Sequence, residues 1–109
     1  MTYSKSQKFN LDLQELSNLA KVLSHPARLA ILKHLAQTKS CISGDIAKEL
    51  PLSRTTVSQH LQSLKKAGLI KGNIAGLNVC YCINPEKLAE CKSLFQQFFE
   101  DAETDISCC

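Results

Sequence analysis

The chain has 109 residues, of which 44% are hydrophobic and 21% charged, so it accommodates one globular domain and excludes a multidomain enzyme. Its apolar runs, such as residues 29–32, are far shorter than the roughly 20 residues that span a bilayer. The formal net charge is only +3, yet residues 50–85 hold four basic residues and no Asp or Glu, which favours a surface that faces a polyanion.

Two amphipathic helices are predicted in the first third of the chain. Residues 1–10 are polar and lack the apolar segment of a signal peptide, so we expect a disordered N-terminus and a cytoplasmic protein. Leucines recur at helical spacing over residues 11–24 and predict the first helix. Pro26 opens a second helix that should end near Gln37, because proline suits the first helical turn.

The next two predicted helices are separated by a short turn. The pattern predicts a short helix over residues 43–50, which Pro51 ends. Ser53 is the predicted N-cap of a longer helix that continues to about Ala67, where Gly68 stops it. Two helices joined by the three residues 51–53 form a helix-turn-helix motif.

The hydrophobic period changes after Gly68. Residues 69–71 and 79–83 are β-prone runs on either side of a Gly- and Asn-rich bend at 72–78, which predicts a β-hairpin. Pro85 opens a last helix with a face that is wide and aromatic for so small a domain: Leu88, Cys91, Leu94, Phe95, Phe98 and Phe99. The expected fold is mainly α with a small β-hairpin wing (α+β), in a domain over residues 11–100 followed by a flexible, acidic tail over 101–109.

The helix that starts after Ser53 has an unusual outer face. Small hydroxyls, amides and one Arg occupy it, and such side chains hydrogen-bond base edges and phosphates in the major groove. His60 is ambiguous, since it either faces the DNA backbone or caps the core. The predicted DNA contacts, including the wing, are Ser53, Arg54, Thr55, Thr56, Ser58, Gln59, His60, Gln62, Lys65, Lys71, Asn73 and Asn78. An adaptor protein with a merely solvated polar helix is the alternative. An enzyme is the weakest class, because the three histidines lie on different predicted elements without an acidic pair.

Three segments closely resemble the ArsR/SmtB family of winged helix-turn-helix repressors: LSHPARLAIL at 23–32, LSRTTVSQHL at 52–61 and LKKAGLI at 64–70. The resemblance covers about residues 11–100. It implies a homodimer that pairs through its first and last helices and binds a near-palindromic double-stranded operator, with half-sites about one helical turn apart. It also implies that the helix after Ser53 enters the major groove, and that Arg28 is a structural hydrogen-bond donor rather than a DNA contact.

Family members that sense soft metals often carry Cys-x-Cys at the start of the third helix, but here Ser43 follows Cys41 at that spacing. The family's zinc-type site on the last helix is missing too, since no His follows His60. We therefore expect no permanent cofactor and an inducer site formed by Cys41 together with Cys108 and Cys109. Three sulfurs suit As(III) or Sb(III), whose binding would release the repressor from DNA.

A redox sensor is the rival hypothesis, because Cys41 and either Cys108 or Cys109 could form a disulfide or a sulfur-bridged link. A winged-helix protein that senses nothing is the third possibility. Cys80 and Cys82 share one face of a predicted strand, which fits either a dithiol or, as we favour, two small buried residues. Cys91 lies on the apolar face of the last helix and is expected in the core or an interface.

Overall fold

The computed structural model describes residues 8–37, 50–75 and 78–103, with the backbone alone at 73–75 and 78–79. The elements follow the predicted order: α1 (Leu11–Val22), α2 (Pro26–Gln37), α3 (Arg54–Lys66), β1 (Ile70–Ala75), β2 (Asn78–Ile83) and α4 (Pro85–Ala102). Of the predicted helix at 43–50, only Leu50 is described. Cys41, Cys108 and Cys109 lie outside the described residues. Among the helices that are described, none is long and apolar enough to cross a membrane.

The core draws side chains from every described element. Ile31, Leu64 and Leu69 are fully buried at its centre. The other members are nearly as inaccessible to solvent: Leu19, Leu35, Val57, Leu61, Ile70, Tyr81 and Cys91. Because α3 contributes residues 57, 61 and 64, at the spacing of one helix face, its opposite face is left toward solvent.

α1 ends at Val22, two residues before the predicted end, because Pro26 has no N–H to donate to the Val22 carbonyl four residues before it. The carbonyl oxygen of Val22 belongs to the last turn of α1, where carbonyls lack partners within the helix. The guanidinium of Arg28 donates Nη1–H to this oxygen over 3.1 Å. The chain then turns into α2, and the Val22 carbonyl accepts its hydrogen bond from a residue outside α1.

The hairpin is longer than the sequence predicts. Its antiparallel register runs from Ile70 opposite Ile83 to Ala75 opposite Asn78, so most of the predicted bend at 72–78 belongs to the strands. The prediction of the bend was wrong because glycine and asparagine have low strand propensity, whereas cross-strand pairing holds them in the ladder. Gly72 also permits the ring of Tyr81 to lie close to the backbone of β1, since a Cβ at Gly72 would lie 3.2 Å from Tyr81 Cε1.

α4 packs on the core through part of its predicted apolar face. Cys91 is buried and two further residues are half-buried, whereas Leu88, Phe98 and Phe99 are exposed. Asn84 caps the helix: its Oδ1 accepts from the backbone N–H of Lys87, and its Nδ2–H donates to the carbonyl of Gly68. Lys87 Nζ reaches Glu15 Oε1 over 2.9 Å and so connects α4 to α1. The helix extends to Ala102, two residues past the predicted end of the domain.

Candidate nucleic-acid interface

The N-terminus of α3 is fixed by a local cap. Ser53 Oγ accepts from the backbone N–H of Thr56 over 3.2 Å and donates to Thr56 Oγ1 over 3.0 Å. This is the N-cap that the sequence predicts. Both hydroxyls, which were predicted to contact DNA, are therefore engaged with each other in the free protein, although Ser53 is exposed. Their contact with DNA stays a prediction.

The outer face of α3 consists of six side chains that point away from the core. All six are exposed: Arg54, Thr55, Ser58, Gln59, Gln62 and Lys65. The face carries two cations, two hydroxyls and two amides, and α3 contains no acidic residue that would repel a phosphate backbone. It therefore offers donors and acceptors for base edges between positive charges for phosphates.

His60 lies apart from the outer face and belongs to a cluster between α2 and α3. Its Nδ1 accepts from Arg28 Nε over 3.1 Å, and Arg28 also donates to Ser63 Oγ over 3.3 Å. The ring of His25 lies 5.4 Å from that of His60. Burial lowers the pKa of His60, and the charges of Arg28 and His25 lower it further. The structure thus confirms the hydrogen-bonding role that the family resemblance implies for Arg28. A contact between His60 and DNA stays a prediction.

This cluster was not predicted from the sequence, in which the three histidines lie on different predicted elements. A signal was present, however. His25 and Arg28 are three residues apart, and so are His60 and Ser63. Residues at this spacing share a helix face, so two such pairs on neighbouring helices can meet.

The wing begins where α3 ends. Lys71 is exposed on β1 and lies directly opposite Cys82 in the ladder. Asn73 and Asn78, the other predicted wing contacts, pair with Cys80 and Ala75 in the backbone register. The strand that carries Lys71 starts four residues after the end of α3. Lys65 Nζ lies beside Gly72 on the Tyr81 face of the hairpin, whereas Lys71 leaves the opposite face.

Three of the six cysteines lie within the described residues. Cys91 is buried, and burial raises the pKa of its thiol. Cys80 and Cys82 are free and half-buried, rather than buried as the sequence favours. No group of three or more His, Cys, Asp or Glu side chains that could hold a metal ion occurs in the described part of the chain. The predicted set of Cys41, Cys108 and Cys109 falls outside it and stays a prediction.

A polar helix with an acid-free outer face, followed directly by a two-stranded wing, is the arrangement of winged helix-turn-helix DNA-binding domains. A family model described as a helix-turn-helix domain matches residues 23–73. The chain is 34% identical over 98 residues to the cadmium resistance transcriptional regulatory protein CadC of Listeria innocua, with 90% of this chain and 82% of the relative covered. The chain belongs to the ArsR/SmtB family of transcriptional regulators.

Solved structures agree with this assignment. A possible transcriptional regulator for arsenical resistance superposes with a TM-score of 0.67 at 29% identity, covering 75% of this chain and 84% of the other. A homodimeric winged helix-turn-helix domain from Mycobacterium bovis, described as a possible ArsR-family regulator, superposes with a TM-score of 0.63 at 28% identity, covering 96% and 93%.

Proposed function

We propose that this protein is a homodimeric, sequence-specific DNA-binding repressor that leaves its operator when a trivalent metalloid binds its thiols. The outer face of α3 is the observation that carries the DNA-binding part. Three buried residues on the opposite side of α3 anchor the helix in the core. Its six exposed side chains are therefore held in place on a packed helix and remain accessible to a DNA groove.

Within that face, the roles follow from chemistry. Arg54 reads guanine or clamps a phosphate, because a guanidinium can donate two parallel hydrogen bonds. Gln59 is suited to adenine, whose major-groove edge matches a carboxamide. Lys65, near the C-terminal end of α3, and Lys71, on β1, contact phosphates as point charges. Gln59 is thus assigned to a base, the two lysines to phosphates, and Arg54 to either.

The DNA contacts are tested by substitution on the outer face. With DNA from upstream of the protein's own gene, Arg54→Ala and Gln59→Ala should each weaken binding by about 5- to 150-fold, the equivalent of about 1–3 kcal/mol for a bidentate base contact. Lys65→Ala should instead lower the slope of affinity against salt by about one. Fluorescence anisotropy at several salt concentrations measures both.

The matched control for these variants is Lys33→Ala, which removes an exposed cation from α2. It should leave both the affinity and the salt slope unchanged. If Lys33→Ala weakens binding as much as Arg54→Ala does, the effect is one of net charge. The assignment of the outer face would then be wrong.

The proposed dimer pairs α1 and α4 of one subunit with those of a second copy. An open groove of about 980 Å³ lies between the two helices, and its apolar lining includes Leu13, Leu16, Leu94 and Phe98. Phe98 is 43% exposed and Leu13 45%, which leaves apolar surface for a partner to cover. The similarity to a domain described as homodimeric supports this pairing.

The proposed inducer is As(III) or Sb(III), held by Cys41, Cys108 and Cys109. The similarity to a cadmium resistance regulator and to a possible regulator for arsenical resistance supports a soft, thiol-seeking inducer. Three thiolates match the trigonal coordination of these metalloids, and thiolate is the protein ligand that soft ions prefer. Occupation of the site would favour a dimer conformation with weaker affinity for DNA.

The inducer is tested by titrating the reduced dimer on DNA with arsenite and, separately, with a polysulfide. Arsenite should release the protein, and the variant with Cys41, Cys108 and Cys109 all changed to Ser should stay bound. Release by polysulfide alone would favour a redox link between Cys41 and a tail cysteine. Release that persists in the triple variant would contradict both mechanisms.

A further inference from the structure

Cys80 and Cys82 form a pair of thiols on the wing that the proposed inducer site does not use. They are two residues apart on β2, so their side chains leave the same face of the strand. Tyr81 lies between them and points the opposite way, into the core. Both thiols are free and half-buried, so the pair is open to solvent at the surface of the hairpin.

The spacing suits a bridging atom better than a direct disulfide. Residues two apart on an extended strand have Cα atoms roughly 7 Å apart, at the upper limit of what a disulfide spans. Two bonds from sulfur to a larger central atom cover more distance than one S–S bond. A thiophilic atom that accepts two sulfurs therefore fits between Cys80 and Cys82 without a change in the ladder.

Within the part of the chain that the structure describes, the site has two ligands. The described residues offer no third His, Cys, Asp or Glu to complete a metal-binding group around this pair. Residues 50–85 contain no acid at all, and the residue opposite Cys82 is Lys71, whose positive charge disfavours a bare divalent cation. The ligand should therefore be satisfied by two thiolates and carry little positive charge once bound.

We propose that Cys80 and Cys82 form a dithiol site for monosubstituted trivalent arsenicals, separate from the predicted set of Cys41, Cys108 and Cys109. Such an arsenical carries one organic group and has only two exchangeable positions, which the pair fills completely. With phenylarsine oxide, two As–S bonds form, the bond between arsenic and oxygen breaks, and the two thiol protons leave with the oxygen as water. The oxidation state of arsenic does not change.

Occupation of this site would affect the DNA-binding surface directly. Lys71 lies opposite Cys82 in the ladder, within the distance at which cross-strand neighbours touch. An aryl group on the bound arsenic would therefore crowd the predicted phosphate contact of Lys71. The wing would give the protein a response to organic arsenicals that does not depend on its tail.

Intact-protein mass spectrometry tests the site in the full-length chain. The chain with Cys41, Cys108 and Cys109 changed to Ser keeps only the wing pair and Cys91. With phenylarsine oxide it should gain one C6H5As group and lose two hydrogens. The adduct should survive excess monothiol such as glutathione and be removed by a dithiol such as dimercaptopropanol, because a chelate resists stepwise exchange.

Single substitutions provide the controls. Adding Cys80→Ser or Cys82→Ser to that background should abolish the chelate, whereas adding Cys91→Ala should leave it intact. A chelate that persists without Cys80, or no chelate in the starting background, would overturn the proposal. Circular dichroism on each variant verifies the fold. The readout involves no DNA and none of the three other cysteines, so failure here is distinguishable from failure of the proposed repressor function.

Discussion

At the scale of single residues, Arg28 connects α3, the helix proposed to bind DNA, to the two helices that precede it. Its guanidinium donates to the carbonyl of Val22 at the end of α1, and to His60 and Ser63 on α3. Hydrogen bonds from a charged donor are stronger than neutral ones. Arg28 uses three separate nitrogens of its planar guanidinium, whereas the donors of a lysine all leave a single nitrogen and could not be distributed over these three acceptors in the same way. Arg28 thereby couples the orientation of α3 to both preceding helices.

This network should make the stability of the protein depend on pH near neutrality. The folded state lowers the pKa of His60, chiefly by burial, and a protonated ring could no longer accept at Nδ1 from Arg28. In the unfolded chain His60 takes up its proton as pH falls through about 6.5, before it does so in the folded state. The contribution of His60 to the free energy of unfolding should therefore be fully present above that pH, and it should be lost as the pH falls further. Urea denaturation at about pH 7.5 and about pH 5.5 measures this difference.

His60→Asn is the matched control, since its carboxamide oxygen can replace Nδ1 as an acceptor but does not titrate. This variant should show a smaller loss of stability between the two pH values than the wild type. An equal loss in both proteins would assign the pH dependence to groups other than His60.

At the scale of elements, the end of α3 determines where the wing begins. Gly68 has φ +83°, a left-handed conformation that L side chains rarely adopt. Its N–H donates to the carbonyl of Lys65, and the N–H of Leu69 donates to that of Leu64. These two bonds form a Schellman motif, and the buried Leu64 and Leu69 supply its apolar contact. The chain is thereby turned from the helix into β1.

Replacing Gly68 should destabilise the fold through the backbone rather than through a clash. A Cβ at this position would meet Lys87 Cγ at 3.6 Å, an ordinary contact. Gly68→Ala should therefore cost about 1–2 kcal/mol of stability, the penalty for a left-handed alanine. Gly68→Asn should cost less, because asparagine tolerates this conformation better. Equal losses in thermal or urea unfolding would contradict the backbone explanation.

The elements that were predictable from sequence are those with local determinants. α3 was located by its core spacing, its Ser53 cap and its Gly68 stop, all of which the structure confirms. The extent of the hairpin was not predictable, because pairing across the ladder overrides the turn propensity of its residues. The Arg28–His60 bond joins positions 32 residues apart. Spacing of three residues places each pair of the cluster on one face of its own helix, but it does not specify that the two faces meet. The outer face of α3 was therefore predictable from sequence, whereas the packing of α2 against α3 that forms the cluster was not.

At the scale of the whole molecule, the acid-free basic segment and the exposed aromatic residues of α4 lie in different parts of the chain. Residues 50–85, which form α3 and the wing, carry four basic residues and no acid, whereas residues 86–109 carry six acidic residues against two lysines. The described part of that acidic segment is α4, which also exposes Phe98 and Phe99. In the proposed complex, the basic segment faces DNA and the acidic helix α4 is left for the proposed contact with a second subunit.

Dimerisation through α4 should therefore be separable from folding. Phe98 is 43% exposed, so Phe98→Arg removes little from the core of one subunit but places a charge where the proposed partner packs. The wild type should sediment as a dimer and Phe98→Arg as a monomer with unchanged helical content. Leu29→Arg is the matched control, because Leu29 is 51% exposed but lies on α2, and it should remain dimeric.

Because a monomer contacts only one half-site, Phe98→Arg should also lower the slope of DNA affinity against salt to about half. A dimeric Phe98→Arg, or a monomeric Leu29→Arg, would locate the interface elsewhere.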